Sequence, residues 1–179
     1  QRERLARSSA GIRMTSEQDL AYNILTSRKL ADAFKVDQET DSMRDNYGRH
    51  TTGQSLLLAR RLLEVGVPVV QVNVGNAQNW DNHSKIFPTL KDRLLPPLDK
   101  GMGALLADLS DRGMLDDTFV VLIGEFGRTP KINKDAGRDH WGPCFSGLFA
   151  GGGVRGGQVI GKTDPHGSYP ISHPYSPED

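Results

Sequence analysis

Apolar residues recur in three separate stretches of this chain at the three- and four-residue spacing of one helical face. These stretches predict helices over residues 16–35, 51–66 and 97–113. In the second helix the apolar stripe leaves Arg60 and Arg61 on the opposite face, which is therefore predicted to be solvated.

Residues that cap or break helices set the expected ends of these elements. Thr51 or Thr52 is expected to cap the second helix. Pro88 and the pair Pro96-Pro97 are expected to interrupt the helical pattern before the third helix, because proline has no N–H to donate. The third helix therefore begins at about Pro97, since a proline is tolerated in the first turn.

Three short apolar runs predict strands over residues 67–75, 118–123 and 144–150. The run over 118–123 is rich in β-branched and aromatic residues, which is typical of a strand buried on both faces within a parallel sheet. Because helices and strands alternate, the sequence predicts a single α/β domain over residues 1–179, with a mainly parallel sheet flanked by helices. Glycines around residues 156–161 predict a tight, hairpin-like excursion.

Composition excludes several classes of protein. Twenty-two Lys and Arg residues balance twenty-two Asp and Glu residues, which removes the main electrostatic argument for a nucleic-acid partner. No apolar run approaches the length needed to cross a bilayer, so no membrane span is predicted. A single cysteine, Cys144, excludes a disulfide within the chain and a cysteine-rich zinc site. The chain begins at Gln1 without an initiator Met, so we expect a fragment of a longer protein.

Carboxylates and imidazoles follow the first two predicted strands. Asp81 and His83 come after the first strand, Glu125 directly after the second, and Asp139 and His140 in the loop beyond it. Ligands of open α/β sheets bind outside the carboxyl ends of the strands, so these five residues are the candidate metal ligands. Carboxylate with imidazole suits zinc, manganese or iron, whereas carboxylates alone suit magnesium or calcium. The spacing alone favours a metal site and a structural role about equally.

Two arginines flank the candidate ligands. A guanidinium matches the geometry of phosphate or sulfate, so Arg128 and Arg138 are candidate binders of an oxyanion. Either arginine could instead pair with Glu125 or Asp139 to hold the loop, and both interpretations stay open. Ser146 has no activating base nearby and lacks the GxSxG elbow, so it is excluded as a nucleophile.

Several short blocks of sequence occur together in a fixed order. They are Tyr47-Gly48-Arg49-His50, Trp80-Asp81-Asn82-His83, Gly124-Glu125-Phe126-Gly127-Arg128-Thr129-Pro130 and Gly137-Arg138-Asp139-His140-Trp141. Over nearly its whole length the chain thus resembles the sulfatase-like family called domain of unknown function 1501. That family looks like part of the alkaline-phosphatase superfamily, which implies a three-layer α/β fold of which this chain is the C-terminal part. The resemblance also implies a periplasmic or secreted location.

The resemblance assigns roles to particular residues. By resemblance, Asp81 and His83 match the first ligand pair of the superfamily, Glu125 the acidic member of the second pair, and His140 the last ligand. Phe126 departs from the pattern, because a phenyl ring cannot bind a metal ion where the second pair would supply a ligand.

The superfamily's nucleophile lies towards the N-terminus. No matching segment appears in residues 1–66, so we expect this chain to hold only part of an active site.

Two functions follow as expectations. The first is a metal-dependent hydrolase of sulfate or phosphate esters, in which a zinc, manganese, calcium or magnesium ion polarises the ester oxygen and Arg128 contacts the anion. Its partner would be a small-molecule or glycan ester. The second is a catalytically inactive binding or scaffold module, which Phe126 and the missing nucleophile favour. In both cases we expect the candidate ligands to meet at one edge of a sheet of about three to five strands, with strand 118–123 at its centre.

Overall fold

The computed structural model describes residues 18, 19, 22, 27–76 and 78–172. The chain divides into two compact units, Gln1–Asn73 and Val74–Asp179. The prediction of one domain over residues 1–179 stays a prediction. Within the described ranges no helix has both the length and the apolar character needed to cross a bilayer, as the sequence predicts.

The described part of the first unit is helical. It comprises α1 (Arg28–Ala33), a short 3-10 helix (Val36–Gln38), α2 (Asp41–Tyr47) and α3 (Thr51–Glu64). The predicted helix over 51–66 is confirmed as α3. The helix predicted over 16–35 is confirmed where α1 covers it, and most of its first half lies outside the described residues.

The first turn of α3 is capped by a side chain that the sequence does not single out. His50, rather than Thr51 or Thr52, is the cap residue, and its Nδ1 accepts a hydrogen bond from the Gly53 N–H at 3.0 Å. The N–H groups in the first turn of a helix have no partner within the helix, so a capping side chain must accept from them. The unprotonated nitrogen of an imidazole can accept such a hydrogen bond just as a hydroxyl oxygen does.

Helices α1 and α2 both pack against α3, and the prediction of a solvated face at Arg60 and Arg61 is wrong, because their side chains are only 1% and 14% exposed. The Arg60 guanidinium lies 2.7 Å from Glu39 and 2.7 Å from Glu64. Arg61 shares Glu39 at 2.5 Å and also donates to the carbonyl of Ala33 at 2.8 Å. A buried charge must be paired with an opposite charge. Glu39, which lies outside α3, is the carboxylate that both arginines share.

The second unit begins its helical part at Ile86. A short helix α4 (Ile86–Pro88) runs into a π-helical turn (Thr89–Leu94) and then into α5 (Leu95–Asp111). The predicted start of the third helix at about Pro97 is confirmed to within two residues, but the predicted interruption is wrong because the chain before it stays helical. The Leu95 N–H reaches back five residues to the Leu90 carbonyl, and this wider turn lets Pro96 and Pro97 enter the first turn of a new helix.

The strands in the described part of the chain are short. They are β1 (Val120–Leu122), β2 (Gly127–Arg128), β3 (His140–Trp141), β4 (Leu148–Ala150), β5 (Lys162–Thr163) and β6 (Pro170–Ser172). They pair as three separate antiparallel ribbons: β1 with β4, β2 with β3, and β5 with β6.

The predicted α/β fold, an alkaline-phosphatase-like three-layer arrangement around a mainly parallel sheet, is therefore wrong for this structure. A parallel pair needs a crossover connection, usually a helix. No helix lies between residues 123 and 148, and the chain returns antiparallel. The run over 67–75 forms no strand, and the expected hairpin at 156–161 is replaced by the β5–β6 ribbon further along the chain.

The β1–β4 ribbon carries an apolar face that is open to solvent. Val121, opposite Phe149 in the register, is 44% exposed, and Phe119 and Ile123 are exposed on the same face. The rings of Phe119 and Phe149 stack with centroids 5.9 Å apart. The prediction of a strand buried on both faces, and central in a larger sheet, is wrong because β4 is the only strand that pairs with it among the described residues.

Candidate metal centre

Backbone pairing brings two distant loops together in the second unit. An isolated antiparallel bridge joins Ser84 to Ala136. On one side of it the Ile86 N–H donates to the Ala136 carbonyl at 2.9 Å, and on the other the Arg138 N–H donates to the Asn82 carbonyl at 3.1 Å. The loop that carries Asp81 and His83 is thereby fixed against the loop that carries Asp139 and His140.

The β2–β3 ribbon adds a further constraint. Arg128 and His140 are opposite each other in its register. Side chains of directly opposed residues lie on the same face of a ribbon. The two loops and the ribbon therefore direct Asp81, His83, Arg128 and His140 into one small volume.

Three potential ligand atoms converge there. Asp81 Oδ1 lies 3.0 Å from His83 Nε2 and 2.9 Å from His140 Nε2. All three ligand atoms lie within 4.8 Å of one another. The three side chains are partly open to solvent, so the group is accessible.

Positive charge and an aromatic ring border this group. Arg128 Nη1 donates to Asp81 Oδ1, and its Nη2 lies 3.7 Å from Glu125 Oε1. The Phe126 ring lies 5.3 Å from the Arg128 guanidinium carbon and 4.5 Å from the His140 ring, measured to ring centroids. The pKa of Asp81 is lowered to about 2, first by the hydrogen bond from His140 and then by that from Arg128. Asp81 is therefore a carboxylate at neutral pH.

Asp139 lies on the far side of His83. Its Oδ1 is 2.8 Å from His83 Nδ1 and accepts a hydrogen bond from Asn133 Nδ2 at 3.1 Å. The hydrogen bond from His83, followed by that from Asn133, holds the pKa of Asp139 below its usual range. Asp139 thus faces the nitrogen of His83 that points away from Asp81.

The predicted site residues are distributed unevenly around this centre. Asp81, His83 and His140 come together, Asp139 lies one side chain further out, and Glu125 is 67% exposed and contacts the group only through Arg128. The assignment of Glu125 and Asp139 as metal ligands stays a prediction.

The two arginines have different surroundings. Arg128 pairs with Asp81 and Glu125. Arg138 donates to the carbonyls of Thr129 and Pro130 at 2.6 and 2.7 Å. Arg138 therefore holds its loop, through backbone carbonyls rather than through a carboxylate.

Asn133 is a site residue that the sequence reasoning misses. Its Oδ1 accepts from the N–H groups of Asp135 and Gly137 at 3.0 and 2.9 Å, which closes the turn before Asp139. The available signal is turn chemistry, because Asn in a polar, glycine-containing segment commonly bonds backbone N–H groups a few residues on.

Two imidazoles and one carboxylate around a partly open position define a candidate three-ligand metal centre. The family model described as Protein of unknown function (DUF1501) matches residues 3–179. The chain belongs to that family. Neither a curated protein nor a solved structure matches it.

Proposed function

We propose that this chain supplies the metal centre of a sulfatase-like hydrolase of sulfate or phosphate esters. Asp81, His83 and His140 would hold the ion, and the convergence of their three ligand atoms within 4.8 Å is the observation that carries the proposal. The resemblance of the surrounding motifs to sulfatase-like proteins supports the choice of reaction. We also propose that the protein acts outside the cytoplasm, in the periplasm or after secretion.

The donor set fits zinc best. Zinc bonds of about 2.0–2.1 Å in tetrahedral geometry separate neighbouring ligand atoms by about 3.3 Å. The separations of 2.9 and 3.0 Å from Asp81 Oδ1 to the two histidine nitrogens are close to that value. Calcium and magnesium prefer oxygen ligands and are less suited to two imidazoles. Manganese is the second choice.

The orientation of His83 also favours a cation. When Nδ1 carries the proton and donates a hydrogen bond to Asp139, Nε2 presents a lone pair to Asp81 Oδ1 at 3.0 Å. Two lone pairs at that distance repel unless a proton or a metal ion lies between them. A bound divalent ion would remove this repulsion and supply Lewis-acid polarisation of an ester oxygen.

Arg128 gives the site its preference for anions. Its guanidinium is held beside Asp81 and next to Glu125 and Phe126, so a positive group stands at the rim of the metal centre. Guanidinium binds the paired oxygens of phosphate and sulfate, and we assign Arg128 that role toward the ester.

A second function has one specific observation in its favour. The Phe126 ring packs 4.5 Å from the His140 ring, so one flank of the centre is apolar and offers no ligand. A metal-holding module without catalysis would tolerate this flank. The module and the hydrolase make the same prediction for metal binding and opposite predictions for turnover.

Metal binding is the first test. Zinc stoichiometry and affinity are measured by calorimetry and elemental analysis for the wild type, His83→Ala and His140→Ala. His166→Ala is the matched control, because His166 is exposed and lies outside the centre. We expect one zinc per chain in the wild type and the control, and its loss in the two site variants. Unchanged zinc stoichiometry in both site variants would show that His83 and His140 are not metal ligands.

Turnover is the second test. The protein is assayed with an aryl sulfate and an aryl phosphate. Zinc-dependent turnover that disappears in His83→Ala, His140→Ala and Arg128→Ala supports the hydrolase. Zinc binding with no turnover of either ester supports the binding module.

A further inference from the structure

We infer that Asp139 is a positioning residue of the metal centre, and that it makes Nε2 the metal-binding nitrogen of His83. Asn133 holds Asp139 for this purpose. The inference rests on the proposed metal centre and replaces the sequence-based assignment of Asp139 as a direct ligand.

The two nitrogens of His83 face different carboxylates. Nδ1 lies 2.8 Å from Asp139 Oδ1, whereas Nε2 lies 3.0 Å from Asp81 Oδ1, inside the group of ligand atoms. A neutral imidazole has one N–H, and an ionised carboxylate can only accept. A proton on Nδ1 satisfies Asp139 and leaves the Nε2 lone pair directed at the site. Histidines that bind metals commonly donate their other N–H to a carboxylate in this way.

Asn133 fixes both partners of this hydrogen bond. Its Nδ2 donates to Asp139 Oδ1 at 3.1 Å and to the His83 carbonyl at 2.9 Å. The other end of the same amide, Oδ1, accepts from the N–H groups of Asp135 and Gly137. One side chain therefore connects the turn, the carboxylate and the backbone of the histidine.

The backbone of Asp139 is held independently. Its N–H donates to Thr129 Oγ1 at 3.1 Å, and its carbonyl accepts from the Thr129 N–H at 2.9 Å. With the backbone fixed by Thr129 and the carboxylate by Asn133, Asp139 presents a preset acceptor to Nδ1. Such preorganisation raises metal affinity because the ligand does not have to be oriented when the ion binds.

The zinc affinities of four variants separate a positioning role from a ligand role. Asp139→Ala removes the acceptor, and we expect zinc affinity to fall about 10–100-fold. Asp139→Asn keeps an acceptor oxygen and is expected to recover most of that loss. Asn133→Asp keeps the oxygen that accepts from Asp135 and Gly137 but loses the N–H group that donates to Asp139. It should therefore lower the affinity for zinc as Asp139→Ala does. His83→Ala sets the scale for losing a true ligand.

The tautomer of His83 is the deciding measurement. If Asp139 only stabilised the fold, its removal would leave this tautomer unchanged. Two-bond proton–nitrogen correlation spectra of the metal-free wild type, recorded at a pH where the imidazole is neutral, should show Nδ1 protonated and Nε2 without a proton. In Asp139→Ala the proton should move to Nε2, the nitrogen that usually carries it in free histidine. Asn133→Asp serves for the same measurement if Asp139→Ala does not fold.

The outcomes are distinct. Equal losses in Asp139→Asn, Asp139→Ala and His83→Ala would make Asp139 a ligand and overturn the positioning role. Wild-type affinity and an unchanged tautomer in Asp139→Ala would overturn this inference while leaving the metal centre intact. A wild-type protein that binds no zinc would overturn the metal centre, and this inference with it.

Discussion

Gly137 packs so tightly against His83 that a Cβ atom at residue 137 would lie 2.0 Å from the His83 carbonyl oxygen. The Ser84 nitrogen would be 2.3 Å away. Real Cβ atoms are not found at such separations from backbone atoms, and backbone cannot rotate aside as a flexible side chain can. The contact between the two ligand-bearing loops therefore depends on the missing side chain of one glycine.

Gly137→Ala is expected to separate these loops. The substitution should lower the thermal unfolding midpoint, because forced overpacking typically costs about 1–3 kcal/mol. It should also weaken zinc binding, since Asp81 and His83 would move away from His140. Calorimetry and a thermal melt measure both effects. Gly142→Ala is the matched control, because a Cβ at residue 142 meets nothing within 4 Å. Wild-type zinc affinity in Gly137→Ala would contradict the prediction.

The acid side of the stability profile should depend on Asp81. Its pKa is about 2 in the folded chain, against an ordinary value of 3.8. Between these values the unfolded chain binds more protons, so Asp81 adds stability above about pH 4 and loses it as the pH falls towards 2. Thermal melts of Asp81→Asn should therefore show a shallower fall in midpoint between pH 5 and about 2 than the wild type. Asp116→Asn, an exposed change of equal charge outside the centre, should keep the wild-type slope.

The buried arginines of the first unit should depend on Glu39. Burial raises the pKa of Glu39, but hydrogen bonds from Arg60 and Arg61 outweigh this and hold it below the usual range. Glu39→Gln removes the charge that both arginines share. Breaking a buried ion pair in this way should lower the free energy of unfolding by about 3 kcal/mol, measured by urea denaturation. Asp45→Asn removes a solvent-exposed pair with Arg49 and should change little. Equal effects of the two variants would argue against the buried network.

Trp141 connects the centre to the β5–β6 ribbon. Its Nε1 donates to the Ser168 carbonyl at 2.7 Å, and its ring meets Tyr169 edge-on at 5.5 Å. Trp141→Phe keeps an aromatic ring but loses the hydrogen bond, at a cost of about 1 kcal/mol. Hydrogen exchange should then quicken across residues 162–172 and stay unchanged in α5. Uniformly faster exchange would show instead that the substitution loosens the whole unit.

The helices were predictable because their apolar spacing is local. Helix α3 and most of α5 follow directly from it, and Gly113 ends the latter region as expected with a φ of +68°. The burial of Arg60 was not predictable, because its main partner Glu39 lies 21 residues away. The antiparallel β1–β4 pairing was missed because a short apolar run does not report the direction of its neighbour.

The site was predictable in its residue types but not in its assembly. Asp81, His83 and His140 stand out as polar groups after apolar runs, and the structure brings them together. The expected route, a shared edge of a parallel sheet, is wrong. The Ser84–Ala136 bridge joins the loops across 52 residues of sequence (136 − 84), and no local pattern encodes such a pairing. Turn chemistry could have marked Asn133 as a turn residue, but its hydrogen bonds to Asp139 and to the His83 carbonyl form only in the assembled geometry.

The open apolar face of the β1–β4 ribbon has a consequence for the behaviour of the chain in solution. The formal net charge is zero at pH 7, so little electrostatic repulsion keeps two molecules apart there. Contact between exposed faces built from Phe119, Val121, Ile123 and Phe149 is then least opposed near neutrality. The chain should accordingly be least soluble around pH 7 and gain solubility as it acquires net negative charge at higher pH.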